Sequence, residues 1–372
     1  MKKTKISSGR LTRLARKEIR ELKGYEIDNQ SCSIKLDANE NPYSPEIKSF
    51  PKMSFNKYPE CQPVALIERL SSLYDADKEK ILVSRGSDES IDLLIKAFCK
   101  AYEDKVMIFP PTFSMYEIYA KIQGVKLLKI PLLPENDYEI KFSQIEKDIR
   151  KTNPKILFIP NPNSPIGKTM NKDNLLEIAE KLQDKALVVI DEAYIEFSKE
   201  KSMTRYLEKS DNLVILRTLS KAYGMASLRL GVCIADNEIT RILRRIQAPY
   251  SIPAPCYNIA LECLSAQNMK KTGRRIRIIK DERERLSAIL KNFSFIDRLF
   301  ESNTNFVFIQ LNNPLKLWKF CKSRGILLKF IDNEMQGIRI TIGNMKENDT
   351  LISAFREYEE NPDRKKAYYK RK

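Results

Sequence analysis

Short unbroken apolar runs alternate along most of the chain with stretches whose apolar residues recur every three or four positions. The runs at 81–83, 105–109, 125–130, 156–159, 187–190, 213–216 and 230–235 predict buried strands. Between them, Val64, Leu66, Ile67 and Leu70 mark the apolar face of a helix starting near Pro63. Further helices are predicted over 90–98, over 142–151 and beyond Gly167, the last capped by Asn171 or Asp173. Repeated strand, loop and helix imply an α/β architecture with a doubly wound, mostly parallel sheet.

The two ends read differently. Leu11, Leu14, Ala15, Ile19 and Leu22 recur at helical spacing in a basic N-terminal arm, and Gly24 stops that helix. The segment Ala248–Pro255 breaks the alternation. A long charged helix over 269–291 then leads to strands at 304–311, 326–330 and 337–342 around a helix at 315–324. This α+β part is expected to pack with the arm. The resulting division is arm and part of the small domain at 1–45, a large domain at 46–265, a small domain at 266–360, and a loose basic tail at 361–372.

Composition narrows the chemistry. No apolar run reaches membrane-spanning length, and the basic N-terminus has no apolar core of a secretory signal. Seven scattered cysteines without a CxxC pair suit reduced thiols in the cytoplasm. The net charge of +17 is spread along the chain. No arginine stripe or aromatic-basic sheet motif accompanies it, so neither nucleic acid nor membrane is expected as a partner. Histidine is absent altogether. That removes Ser-His-Asp and Cys-His catalysis, disfavours a zinc centre, and leaves proton transfer to lysine, carboxylate or tyrosine.

Three strand ends carry candidate chemistry. After the run at 213–216 comes Ser220-Lys221, with Arg229 eight residues beyond. A lysine there can hold an aldehyde cofactor as a Schiff base while Ser220 and Arg229 grip its phosphate. In isolation, a surface lysine of a lysine-rich chain would look the same. The run at 187–190 exits through Asp191-Glu192-Ala193-Tyr194, where open α/β sheets bind ligands. Ser84-Arg85-Gly86-Ser87-Asp88-Glu89 is a glycine turn into a helix, suited to an anion, although Ser87 or Asp88 also reads as a plain N-cap. Phe113, after a double proline, is either a core aromatic or a flat ring held at a pocket.

Together LDANENPY, YPECQP, LVSRGSDESIDLLIKAFC, PPTFSMY, PNPNSPIG, VVIDEAYIEF, LRTLSKAYGMASLRLG, APYSIPAP and IRITIG resemble the histidinol-phosphate aminotransferases, from about residue 9 to about residue 345. That family is of PLP-dependent transferase fold type I, with a large sheet domain and a smaller α+β domain. The resemblance implies pyridoxal 5′-phosphate (PLP) as cofactor. It implies transamination between L-histidinol phosphate and 2-oxoglutarate, giving imidazole-acetol phosphate and glutamate. Lys221 would be the Schiff-base lysine and proton carrier, Asp191 the partner of the ring nitrogen, and Tyr194 a hydrogen-bond donor to the ring's phenolic oxygen. Phe113 would stack on the ring. Ser87, Asp88, Ser220 and Arg229 would surround the phosphate, with Tyr58 arriving from the other subunit of a homodimer. Arg339 would bind the substrate's carboxylate or phosphate, and Tyr25 would close over it. The family's usual PNNPTG loop has asparagine where this chain has Ser164. A family arginine about ten residues before Arg339 is Lys329, which keeps the charge and loses the fork. The segment between Lys329 and Arg339 is also short. An aromatic aminotransferase, a threonine-phosphate decarboxylase or a non-catalytic binding protein on the same frame are the competing readings.

Overall fold

The computed structural model describes residues 14–22, 32–47, 53–134, 138, 140, 142–332 and 335–360. Its strands in chain order are β1 (Ile34–Leu36), β2 (Ile81–Ser84), β3 (Lys105–Ile108), β4 (Lys126–Lys129), β5 (Ile156–Pro160) and β6 (Leu187–Asp191). They continue with β7 (Leu213–Thr218), β8 (Gly231–Ala235), β9 (Arg298–Leu299), β10 (Phe306–Gln310), β11 (Ile326–Ile331) and β12 (Gly337–Thr341).

Seven strands form one sheet in the order β2-β8-β7-β6-β5-β3-β4. All its pairings are parallel except those of β8, which runs antiparallel to both neighbours. The central strands β5, β7 and β8 are buried along their whole length, as continuous Ile, Leu and Val runs require when helices cover both faces. Two apolar clusters flank the sheet. One, around Leu94, Ile108, Tyr116 and Phe158, lies under the helices Ser87–Phe98 and Ser114–Gln123. The other continues through Leu219, Leu230, Ile279 and Leu286 into the C-terminal part.

The second sheet has the order β1-β11-β12-β10-β9. The N-terminal strand β1 pairs in parallel with β11, so the two chain ends meet in one sheet. The helix Ala266–Leu290 runs between the sheets, and buried Arg283 donates to the carbonyl of Thr304 (2.8 Å) and that of Phe197 (3.3 Å). No helix among the described residues is long and apolar enough to cross a membrane.

Several elements depart from the sequence reading. The helix after β2 begins at Ser87, with Gly86 as its N-cap at φ 77°. Ser87 and Asp88 are therefore first-turn residues, because only glycine takes that left-handed conformation without cost. Asn171 caps the helix Lys172–Lys181 by accepting from Asp173 N–H (2.7 Å), as expected. The run at 230–235 starts one residue late as a strand: β8 begins at Gly231, and Arg229 ends a short 3₁₀ turn at φ 53°. Strand β9 and the helices Ser114–Gln123, Asn237–Ile246, Ala254–Cys263 and Met345–Glu360 have no counterpart among the predicted elements. In the arm the described helix is Lys17–Glu21; Leu11, Gly24, Tyr25 and the basic tail lie outside the described residues.

Candidate active site

The carboxyl ends of β5, β6 and β7 are adjacent, because these strands pair in parallel and in sequence order. Asp191 closes β6 and Thr218 closes β7, which puts Asp191 and the Ser220-Lys221 turn on the same edge. Such an edge, outside the strand ends of an open sheet, is where ligands bind. Asp88 couples the two: its charge acts on Asp191 and on Lys221 alike.

Lys221 sits in a loop held by two backbone bonds, Leu219 N–H to the Leu230 carbonyl and Met225 N–H to the Leu219 carbonyl, both 3.0 Å. Its Nζ donates to the carbonyl of Ala38 at 2.7 Å. Burial lowers its pKa to about 8, with the cations Arg339 and Arg229 adding to the effect against Glu40 and Asp88. An amine so placed is a usable base and nucleophile near neutral pH.

Asp191 is buried and has no cation paired with it among the described residues. Tyr116 Oη–H donates to Oδ2 at 2.7 Å and Ala193 N–H donates to Oδ1 at 3.1 Å. Burial pushes its pKa up to about 6 in spite of both donors, and Asp88 adds to the rise. The next residue, Glu192, is fully buried but ion-paired to Arg217 (3.4 Å), which also binds Glu196 (2.7 Å). Asp191 alone at this strand end thus lacks a positive partner among the described residues.

The helix Ser87–Phe98 starts with first-turn N–H groups that have no partner within the helix, and the Arg229 guanidinium packs against its N-cap: a Cβ at Gly86 would lie 2.7 Å from Arg229 Nη2. Arg229 forms an ion pair with Asp88 at 3.2 Å, and desolvation raises the pKa of Asp88. Gly231 lets β8 pass against this turn: a Cβ there would lie 2.2 Å from the Gly86 carbonyl carbon and 2.3 Å from Ser87 N. Ser220 is buried alongside, its N–H donating to Thr218 Oγ1 at 3.1 Å.

The segment 37–41 stitches both sheets to these groups. Asn39 is buried at φ 53°; its Nδ2 donates to the Tyr194 hydroxyl (2.9 Å), its N–H to Thr341 Oγ1 (2.9 Å), and its carbonyl accepts from Asn305 Nδ2 (3.0 Å). Asn41 Nδ2 donates to the carbonyls of Lys221 (3.1 Å) and Ala222 (3.0 Å). On β12, Arg339 donates to the Asp37 carbonyl (2.7 Å) and to buried Ser164 Oγ (3.3 Å), and lies over the Phe306 ring. Register places Lys329 directly opposite Arg339, so both cations share one face of the small sheet.

Most of the sequence-predicted residues therefore converge: Lys221, Asp191, Tyr194, Ser87, Asp88, Ser220, Arg229, Ser164, Arg339 and, beside it, Lys329. Phe113 is half-buried with its ring edge-on to Tyr116 (5.6 Å). Tyr58 points outward, 82% exposed and stacked on Tyr250. Tyr25 lies outside the described residues. Tyr116, Asn39, Asn41, Gly86 and Gly231 are further residues of the site that the sequence reading does not single out; the LDANEN and SRG segments that hold three of them are the available signal.

The aminotransferase class I and II family model matches residues 33–355. The chain belongs to the class I and II aminotransferases. A histidinol-phosphate aminotransferase of Buchnera aphidicola subsp. Diuraphis noxia is 38% identical over 349 residues, covering 92% of this chain and 95% of the relative. The histidinol-phosphate aminotransferase of Clostridium acetobutylicum superposes with a TM-score of 0.78 at 25% identity, over 88% of this chain and 99% of that one. That of Sinorhizobium meliloti, solved in complex with pyridoxal-5′-phosphate, shares the fold with a TM-score of 0.79 at 18% identity, over 92% and 96%. The fold is the mixed, mostly parallel α/β arrangement of the PLP-dependent aminotransferases, fold type I. Class I and II aminotransferases use PLP, and this aminotransferase's residues fit that cofactor. A buried carboxylate without a cation suits a protonated ring nitrogen, a lowered lysine suits an aldehyde, and a helix start with Arg229 beside a glycine close approach suits a phosphate.

Proposed function

We propose that this aminotransferase exchanges an amino group between L-histidinol phosphate plus 2-oxoglutarate and imidazole-acetol phosphate plus L-glutamate, in histidine biosynthesis. The observation that carries the substrate is the 38% identity to a named histidinol-phosphate aminotransferase over 92% of the chain. Local chemistry agrees with it: two cations, Arg339 and Lys329, face one way across β11 and β12, which suits a doubly charged phosphate.

PLP, when bound, supplies an aldehyde for the incoming amino group and a ring that draws electron density from the broken C–H bond. The first turn of the helix Ser87–Phe98, with Ser87 and Asp88, would hold the phosphate together with Ser220 and Arg229; Asp88 fixes the guanidinium. Asp191 would keep the ring nitrogen protonated by its fixed negative charge. The Tyr194 hydroxyl, oriented by Asn39, would donate to the ring's phenolic oxygen, where Ser164 stands in for the usual asparagine. Phe113 would cover the ring face. Lys221 would move the proton from the amino donor's α-carbon to C4′ of the cofactor, and in the opposite direction when the keto acid is converted. Its lowered pKa leaves a useful fraction as free amine at neutral pH.

The active unit is a homodimer in this reading. Tyr58 and Tyr250 form an exposed stacked pair, with exposed Val64 nearby in sequence, and Tyr58 would serve the neighbouring subunit's phosphate. Tyr25 would close over the substrate from the arm. In the same reading the domains divide at residues 45, 265 and 360, with the chain's first strand counted in the small domain. Seven unpaired cysteines favour a cytoplasmic enzyme. Neither nucleic acid nor membrane enters the scheme.

The test is a steady-state comparison of L-histidinol phosphate, phenylalanine and O-phosphothreonine with 2-oxoglutarate as acceptor. Histidinol phosphate should give the highest kcat/KM. Preferential transamination of phenylalanine, or carbon dioxide release from O-phosphothreonine as the main reaction, would reject the assignment.

A further inference from the structure

Tyr116 lies wholly buried on the first turn of the helix Ser114–Gln123. Its ring is stacked on Phe158 (4.8 Å, 8°) and stands edge-on to Phe113 (5.6 Å, 85°). Packing on two sides fixes where its hydroxyl ends, 2.7 Å from Asp191 Oδ2. Burial and the neighbouring carboxylate push the phenol's pKa well above its ordinary value, so it stays protonated and can only donate to the carboxylate.

That bond works against burial. Asp191 has been raised to about 6 by desolvation, and the Tyr116 hydroxyl is the foremost influence pulling it back down, ahead of Ala193 N–H. Asp88, on the helix Ser87–Phe98, acts in the opposite sense, and Tyr194 faces Tyr116 from the turn after β6. Among the described residues no lysine or arginine forms a salt bridge with Asp191.

We propose that Tyr116 is a positioning residue: its phenol holds Asp191 anionic and in one orientation, ready for the protonated ring nitrogen of PLP. The proposal rests on the reading that Asp191 pairs with that nitrogen. It also explains why one helix turn carries both Phe113 and Tyr116: the packing that sets the flat ring sets the donor too.

Tyr116→Phe keeps the ring and removes only the hydroxyl. A hydrogen bond to a charged group is worth about one to two pKa units, so Asp191 in the variant should ionise about ten- to a hundredfold less readily. PLP affinity of the apoprotein, measured by equilibrium dialysis across pH, reads this directly. Near pH 6 the variant should bind about tenfold more weakly than wild type, and by about pH 8.5 the two should agree within about twofold. Titrations common to both proteins, including those of Lys221, Asp88 and the cofactor, cancel in the ratio. In an Asp191→Asn background the same substitution should leave a ratio that does not change with pH. A flat ratio between wild type and Tyr116→Phe would mean that the phenol only packs, and would overturn the proposal. A pH-dependent ratio that persists without the Asp191 carboxylate would overturn it as well. If wild type itself fails to bind PLP, the assignment of Asp191 falls first and the proposal falls with it.

Discussion

Asp191→Asn should make the apoprotein more stable and the enzyme inactive. Burial raises the Asp191 pKa from 3.8 to about 6. A folded-state pKa above the unfolded value means that the folded chain binds this proton more tightly. The contribution to stability is therefore intact below about pH 4 and is lost as pH rises through about 6. Two units at about 1.4 kcal/mol each amount to a cost of roughly 3 kcal/mol at pH 8, falling to about half of that at pH 5. Asparagine has nearly the same shape, carries no charge, and can still accept from Ala193 N–H. For a chain of this length, roughly 3 kcal/mol corresponds to about 4 °C in Tm. Thermal melts of apoprotein should thus show the variant melting higher at pH 8, with the gap about halved at pH 5. Turnover with PLP should fall by about a hundredfold or more, because the charge beside the ring nitrogen is gone. A variant that melts at or below wild type at pH 8, with the same dependence on pH, would refute the claim that this carboxylate is held at a cost for want of a cation.

Lys221→Ala should abolish turnover, by about a hundredfold or more, while PLP still binds noncovalently, which dialysis and absorbance would report. Below about pH 8 the kcat/KM of wild type should rise roughly tenfold per pH unit as the Lys221 amine loses its proton, and a flat rate–pH profile from pH 8 down to pH 6 would contradict a base at Lys221. Gly231→Ala would drive a Cβ into the Gly86–Ser87 backbone; about 1–3 kcal/mol of stability and much of the PLP affinity should go together, read by melting and dialysis. Lys329→Arg, which restores the fork, should lower KM for histidinol phosphate and leave unphosphorylated donors unaffected in steady-state assays.

The sheet was legible because β5, β7 and β8 are buried at every position and therefore read as unbroken apolar runs. Strand β9 was not, since Arg298 and Leu299 give too short a run to carry a period. The site's ionic residues were legible where they stand just beyond a buried strand, as Asp191 and Lys221 do. Tyr116 was not, because its spacing within the helix Ser114–Gln123 matches an ordinary core aromatic, and only the tertiary distance to Asp191 separates the two meanings. Asn39 sits at φ 53°, a left-handed conformation that asparagine tolerates. Its further contacts, with Tyr194, Thr341 and Asn305, join positions more than 150 residues apart, and no local pattern encodes them.

Those long-range contacts change what the small sheet is for. Arg339 and Thr341 are two apart on β12 and so lie on one face of it. Arg339 grips the Asp37 carbonyl, Thr341 binds Asn39, and between them Ala38 offers its carbonyl to Lys221. A shift of β12 against the large sheet would be felt at once by the proposed substrate cation, the base and the Tyr194 hydroxyl. Substrate held at Arg339 and Lys329 would therefore pull on the same strand that aligns Lys221. That gives a physical reason for threading residues 37–41 across the site: the N-terminal strand β1 anchors the segment in the small sheet, and Asn41 ties its other end to the carbonyls of Lys221 and Ala222.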